Sequence, residues 1–111
     1  MALAIDDEVE LVVVDVKTVA RGYRASALIN TDVVNRQDES IGTIYDLVIG
    51  RDDNVLFAII QVGGFLGIGG RLVAVPYSAL VIEKKGDWLN VVLPGATRES
   101  LERLPAFEYA T

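Results

Sequence analysis

Short apolar segments alternate with polar turns along most of this chain. The apolar segments are rich in Val and Ile, whose branched Cβ atoms suit a pleated strand better than a helix. The segments between them contain Asp, Asn, Gly and Lys, which favour turns. The pattern therefore predicts a mainly β fold. We expect strands at 11–16, 32–34, 41–49, 55–62, 71–75, 80–82 and 88–93.

The predicted strand at 41–49 changes the parity of its apolar positions partway along. Ile44 and Leu47 cannot share a face of a regular strand, because successive side chains point to opposite sides. This shift predicts a bulge near Tyr45 and Asp46. An isolated buried carboxylate is costly, so we expect Asp46 to accept backbone hydrogen bonds at the bulge or to pair with an arginine. We interpret it as a structural residue.

The end of the chain predicts one short helix. Thr97 is a suitable N-cap, Leu101 and Leu104 share a helical face, and Pro105 ends the segment. Strands separated by turns, without intervening helices, favour a small barrel or a sandwich. We divide the chain into an N-terminal extension with one strand, residues 1–24, and a β domain with the short helix, residues 25–111.

Composition adds limits to this picture. The chain has 111 residues, enough for one domain, and 51% of them are apolar. This apolar excess fills a generous core or leaves an apolar patch outside, and we favour the patch. The net charge of −6 disfavours binding to nucleic acid or to an anionic membrane surface. The sequence also predicts no membrane insertion, because its longest uncharged stretch, 54–70, is interrupted by glycines.

The glycine-rich segment 63–70 resembles a phosphate-binding loop only superficially. A P-loop ends in Gly-Lys-Ser/Thr, whereas this segment runs into Arg71, and the spacing of a dinucleotide fingerprint is absent. We therefore expect a tight connection between strands. Its large apolar residues, Phe65, Leu66 and Ile68, either fold back over one end of the barrel or form a protein contact.

No arrangement of residues predicts catalysis or a bound cofactor. The chain has no Cys and no His, which excludes imidazole- and thiolate-based catalysis and the usual zinc sites. The acidic pairs Asp6-Asp7 and Asp38-Glu39 fall in solvated segments where nothing raises a carboxyl pKa. We predict no enzyme activity, no catalytic residue, no metal site and no cofactor. Trp88 and the scattered tyrosines are expected to pack in the core rather than to form a base-stacking platform.

Two segments resemble the signatures of the PRC-barrel domain family. The first is Val34-Asn35 followed by residues 39–49, and the second is residues 62–69 followed by Val73-Ala74-Val75-Pro76. Asn30 and Asp38 stand where many members of the family carry Gly. The resemblance implies a small PRC-type β-barrel of about six short strands with one short C-terminal helix.

The resemblance also implies a role in protein binding. The same barrel occurs in the cytoplasmic part of the photosynthetic reaction-centre H subunit and in a ribosome-maturation factor that binds a ribosomal protein. Neither supplies a catalytic motif for this chain, which is similar to stand-alone members of the family. The resemblance leaves the compartment open: cytoplasmic by default, or periplasmic if a signal peptide has been removed.

Our preferred hypothesis is a homodimeric protein-binding or assembly module whose further protein partner is unknown. In its bolder form, the strand at 11–16, with Val12 and Val14, pairs with the sheet of the partner subunit. The candidate interaction surface is Phe65, Leu66, Ile68, Val12 and Val14. The alternative is a barrel that binds a small apolar ligand. A third hypothesis, catalysis by carboxylates alone, requires an interior Asp–Glu pair.

Overall fold

The computed structural model describes residues 11–64 and 70–110. Within these ranges the chain forms six strands, three short helices and one 3-10 turn at Tyr77–Ala79. The strands are β1 (Asp32–Val34), β2 (Ser40–Ile49), β3 (Leu56–Val62), β4 (Arg71–Pro76), β5 (Val81–Lys85) and β6 (Trp88–Val92). The helices are α1 (Val16–Ala20), α2 (Ala25–Leu28) and α3 (Arg98–Glu102). The six strands predicted after residue 31 are confirmed.

All six strands belong to one sheet, in the order β4-β3-β2-β1-β6-β5. Neighbouring strands are antiparallel except β1 and β6, which run parallel. Strands β4 and β5 end the sheet, and no ladder joins them among the described residues. The mainly β fold with a short C-terminal helix is therefore confirmed, whereas the closed barrel stays a prediction.

Branched aliphatic side chains fill one face of the sheet, which we call the inner face. Ile60 on β3 pairs with Ile44 on β2 and with Val73 on β4, and all three are at most 1% exposed. Val33 and Val91 pair across the parallel strands and are fully buried as well. Burying each such side chain contributes roughly 1.5–3 kcal/mol. The Val- and Ile-rich pattern of the sequence thus becomes the core.

Gly42 permits the close approach of β2 and β3 over this core. A Cβ at this position would lie 2.6 Å from Ile60 Cγ2 and 2.9 Å from the carbonyl oxygen of Gln61. Real Cβ atoms do not approach other heavy atoms so closely, and the Gln61 oxygen is backbone that cannot move aside. Glycine inside a strand often marks such an approach of another backbone.

The predicted bulge in β2 is confirmed. Ile44 pairs with Ile60 and Asp46 pairs with Ile59, which leaves Tyr45 without an opposite residue. Beyond the bulge, Asp46, Ile59 and Ala74 follow one another across β2, β3 and β4 on the other side of the sheet, which we call the outer face. Ile59 is completely buried there, separate from the main core cluster.

Three described residues other than glycine adopt the left-handed conformation, and two of them, Asn30 and Asp38, lie in the turns on either side of β1. Asn30 has φ 73° and Asp38 has φ 62°. Asn and Asp tolerate this region better than other side chains do, so both turns keep the geometry.

The predicted strand at 11–16 is wrong for this chain. Residues 11–15 have no regular structure, and α1 begins at Val16. The Asp15 carboxylate accepts hydrogen bonds from Lys17 N at 3.1 Å and Thr18 Oγ1 at 3.0 Å, which caps the helix. Branched side chains favour a strand, but a strand also needs a neighbour, and none of the described strands pairs with this segment.

The predicted C-terminal helix is confirmed, with its N-cap. Thr97 and Ser100 form a reciprocal capping box, in which Ser100 N donates to Thr97 Oγ1 at 3.0 Å and Thr97 N donates to Ser100 Oγ at 2.9 Å. Leu101 is buried in the core and Leu104 packs against it. The helices α1 and α2 were not expected from the pattern, and α2 buries Leu28.

Candidate functional site

An unusually apolar surface lies at the start of the described chain. We call residues 11–19 the N-terminal apolar segment. Val12 is 82% exposed and Val14 is 58% exposed, so both predicted contact residues are available to a partner. The other large aliphatic residues of the segment are also exposed: Leu11, Val13, Val16 and Val19.

The other predicted contact residues, Phe65, Leu66 and Ile68, lie outside the described residues. The two glycines before them are described. Gly63 has φ 76° and Gly64 has φ 83°, a conformation that glycine adopts without a Cβ clash. The turn expected after β3 therefore begins as predicted. Whether the loop is a contact surface stays a prediction.

A shallow polar cleft lies beside Gly63 and Gly64 at the end of β3. Ser40, Thr43, Gln61 and Arg98 line it, together with backbone of the neighbouring glycines. The Arg98 guanidinium donates through Nη2 to the carbonyl oxygen of Ser40 at 3.0 Å. This contact fixes the start of α3 against β2. A cleft of this kind differs from the enclosed, mainly apolar sites that bind small molecules.

Asn35 is the buried polar residue among those described, and its side chain is fully satisfied. Its Oδ1 accepts from Gln37 N and Glu39 N, both at 3.0 Å. Its Nδ2 donates to Glu39 Oε1 at 2.8 Å and to the carbonyl oxygen of Ala96 at 3.1 Å. The amide therefore shapes the β1–β2 turn and ties it to the segment before α3. Its role is structural.

Asp46 has the structural partners expected at a bulge, and one more. Its Oδ1 accepts from Leu47 N at 2.8 Å, and its Oδ2 accepts from the Tyr109 hydroxyl at 2.6 Å. This hydrogen bond to Asp46 raises the pKa of Tyr109 to about 12, because ionisation would remove the donated proton and leave two anions in contact. Tyr109 comes from the C-terminal tail, which we define as residues 104–110.

The tail crosses the outer face of the sheet. Phe107 N donates to the carbonyl oxygen of Leu72 at 2.7 Å, and Arg71 Nη2 donates to the carbonyl oxygen of Leu104 at 2.5 Å. The rings of Phe107 and Tyr109 stack edge to face, with centroids 4.9 Å apart. The tail is thus attached to β4 and reaches β2.

Residues just after α1 are attached to the domain. The Tyr23 hydroxyl donates to the carbonyl oxygen of Ile82 on β5 at 3.1 Å. Burial, with a smaller contribution from Tyr23, raises the pKa of Tyr77 above its usual value. The division of the chain at residue 24 stays a prediction, although Tyr23 on its N-terminal side contacts the sheet.

Tyr77 packs against the core as expected, whereas Trp88 and the other tyrosines do not. Trp88 is 60% exposed at the tip of the β5–β6 hairpin, and Tyr23, Tyr45 and Tyr109 are each nearly half exposed. The reason is that small branched side chains already fill the inner face. The aromatics lie on different elements, so the structure gives no single stacking platform among the described residues.

The carboxylates do not converge. Among the described residues no Asp or Glu is buried, and Asp38 and Glu39 are exposed in the β1–β2 turn. The pair Asp6-Asp7 lies outside the described residues. In the described part of the chain no three His, Cys, Asp or Glu residues gather as a metal site requires. The described helices are all too short to cross a bilayer.

The fold agrees with one class of domain, the small mainly β domains built on a single sheet. The family profile of the PRC-barrel domain matches residues 20–97. This chain belongs to the PRC-barrel domain family. No curated protein matches it.

Sequence reasoning missed two features of this structure. The polar pattern predicts Asn35 as one residue of a turn. The burial of its amide is a feature that this pattern does not predict. The tail was overlooked because Pro105 was interpreted only as the end of a helix. The alternation of Phe107, Glu108 and Tyr109 after that proline is the signal that could have indicated an extended segment.

Proposed function

We propose that this protein is a non-catalytic protein-binding or assembly module that forms a homodimer. The observation that carries the proposal is the N-terminal apolar segment. Leu11, Val12 and Val13 are 90%, 82% and 95% exposed, and the hydrophobic effect opposes leaving such a run in water. A second copy of the chain supplies the same surface, so the contact is self-complementary about a two-fold axis.

The local charge pattern supports a protein contact rather than a solvated face. Residues 11–14 carry no charge, and Asp15 and Lys17 follow immediately. An apolar centre with a charged rim is the usual composition of an interface. The finer hypothesis is that residues 11–16 pair with the partner subunit's sheet. This pairing would give their branched side chains the neighbouring strand that they lack in the single chain.

Membership of the PRC-barrel family supports the same function. The two members of the family described above bind other proteins, and neither has a catalytic motif that this chain could share. The alternative, a barrel with an apolar ligand, has less support because Val33, Ile44, Ile60 and Val73 already fill the inner face. We also propose that the chain is not an enzyme, since none of its described carboxylates is buried and no interior Asp–Glu pair is found among the described residues.

The test introduces charge into the segment. We expect Val12→Glu with Val14→Glu to convert the dimer into a monomer, measured by light scattering during gel filtration. The matched control, Gln37→Glu with Ser78→Glu, adds the same charge at exposed positions on other elements and should stay dimeric. Dimers of equal stability in both variants would overturn the assignment of the interface. Monomers in the control as well would show that net charge, not this surface, governs association.

A further inference from the structure

The outer face of the sheet is in contact with the C-terminal tail, and a few hydrogen bonds attach the tail there. The C-terminal tail is fixed there by Phe107 N to Leu72 O, Arg71 Nη2 to Leu104 O, and Tyr109 OH to Asp46 Oδ2. All three partners on the sheet are at least 33 residues away in the sequence. The contacts of the tail with the sheet are therefore of the kind that a separate bound peptide would make.

The tail lies on the free side of β4, the last strand of the sheet. The carbonyl of Leu72 points to that side, since it accepts from Phe107 N of the tail. Ala74 lies two residues further along β4, so its N–H and C=O point the same way as those of Leu72. Within the described residues, Phe107 is the tail residue that bonds backbone to backbone with this edge. The edge thus retains backbone groups for a longer strand.

The side chains give the site its selectivity. Asp46 accepts the hydroxyl proton of Tyr109, and the ring of Phe107 packs edge to face on that tyrosine. Ile59 lies between Asp46 and Ala74 and is fully buried, which shows that this part of the outer face is covered. The site therefore suits an extended segment with an aromatic residue and a tyrosine two positions apart.

We propose that the outer face of β2, β3 and β4 is a binding site for such an aromatic-X-tyrosine segment of a separate partner protein, and that the tail occupies it in competition. An identical tail from a second copy has no advantage, because the attached tail has an effective concentration in the millimolar range. A partner segment that continues along Ala74 gains further backbone hydrogen bonds, as in other strand-addition complexes. The proposal is independent of the homodimer.

The experiment uses the full chain and a fluorescent peptide with the sequence of residues 104–110. The chain carries Phe107→Ala and Tyr109→Phe, which weaken its own tail. Fluorescence anisotropy should show saturable binding to this variant, at least about tenfold tighter than to the wild type, because one charge-assisted hydrogen bond corresponds to about that factor. Adding Asp46→Asn to this variant should abolish the tighter binding of the peptide. Adding Asp38→Asn instead removes the same charge from an exposed turn and should leave the affinity for the peptide unchanged.

Three results would overturn the proposal. One is the absence of saturable binding to a variant whose circular dichroism matches the wild type. Another is equal binding of a peptide in which phenylalanine replaces the tyrosine. The third is a complex between wild-type chains that Asp46→Asn abolishes, since this would assign the site to a second copy. Loss of the homodimer in Val12→Glu with Val14→Glu should not change the affinity for the peptide.

Discussion

Asn35 shows how one amide can organise a turn and a distant segment together. Its four side-chain hydrogen bonds reach Gln37, Glu39 and Ala96, and its exposed fraction is 1%. A buried amide is retained only where each donor and acceptor has a partner. The sequence predicted the turn from its polar composition. It could not predict the bond to Ala96, because that contact depends on how the parallel strands β1 and β6 lie side by side.

Replacement of Asn35 by Ala should lower the free energy of unfolding by about 1–3 kcal/mol, since two backbone N–H groups and one carbonyl lose their partner. Chemical denaturation of the purified protein measures this difference. Gln37→Ala is the control, because only its backbone N–H bonds to Asn35 and its side chain is exposed. If both variants unfold at the same denaturant concentration, the network does not stabilise the fold.

Asp38 occupies a left-handed backbone position that glycine adopts without strain. With φ 62°, a residue with a Cβ is strained unless its side chain tolerates this region. We therefore expect Asp38→Gly to be more stable than Asp38→Ala by about 1 kcal/mol, the reverse of the usual order of these two residues in regular structure. Thermal unfolding of the two variants provides the comparison. An alanine variant as stable as the glycine variant would contradict the positive φ.

At the scale of elements, the two ends of the described chain deviate most from the sequence pattern. Residues 11–16 have the composition of a strand, yet Asp15 caps a helix and the preceding valines are exposed. The composition of a segment expresses a local preference, whereas a strand requires a partner that lies elsewhere. The tail was expected only to follow a helix, yet its aromatic residues reach β4 and β2. In both cases the missing information is long-range.

Because of the hydrogen bond between Tyr109 and Asp46, attachment of the tail should weaken at alkaline pH. The pKa of Tyr109 is raised to about 12 in the folded protein, above its usual value of about 10. A group with a raised folded pKa stabilises the fold fully below its unfolded pKa, so the contribution is present at neutral pH and disappears as pH rises from about 10 to about 12. The side chain is 46% exposed, so solvent weakens the effect.

The measurement is the difference in unfolding free energy between the wild type and Tyr109→Phe, followed through this pH range. It should shrink toward zero as the Tyr109 phenol ionises. Asp46→Asn should lower the pH at which the Tyr109 phenolate absorbance appears. An unchanged difference across the range would show that the hydroxyl contributes nothing to tail attachment.

At the scale of the whole molecule, the sequence predicts the strands well and their arrangement poorly. Ile41 to Ile49 and Val55 to Val62 were predicted because branched residues recur between turns, and the bulge followed from the parity of Ile44 and Leu47. The parallel pairing of β1 with β6 left no local signal, because it joins residues more than fifty positions apart. The family signatures supplied the class of fold that periodicity alone left open between barrel and sandwich.

The interaction surface could be predicted only in part, for a physical reason. Val12 and Val14 were selected because the apolar fraction of the chain exceeds what a small core holds, and both are exposed in the structure. Exposure depends on which residues the rest of the chain covers, so sequence indicates a surplus of apolar residues without locating it. Phe65, Leu66 and Ile68 lie outside the described residues and stay a prediction.

The most direct test of the proposed homodimer is the mass of the wild-type protein in solution. Sedimentation velocity over a series of dilutions through the micromolar range should give a species with twice the chain mass of 12.0 kDa, which dissociates only at the lowest concentrations. A single species at 12.0 kDa throughout the series would contradict the account, because the N-terminal apolar segment would then be stable in water without a second copy.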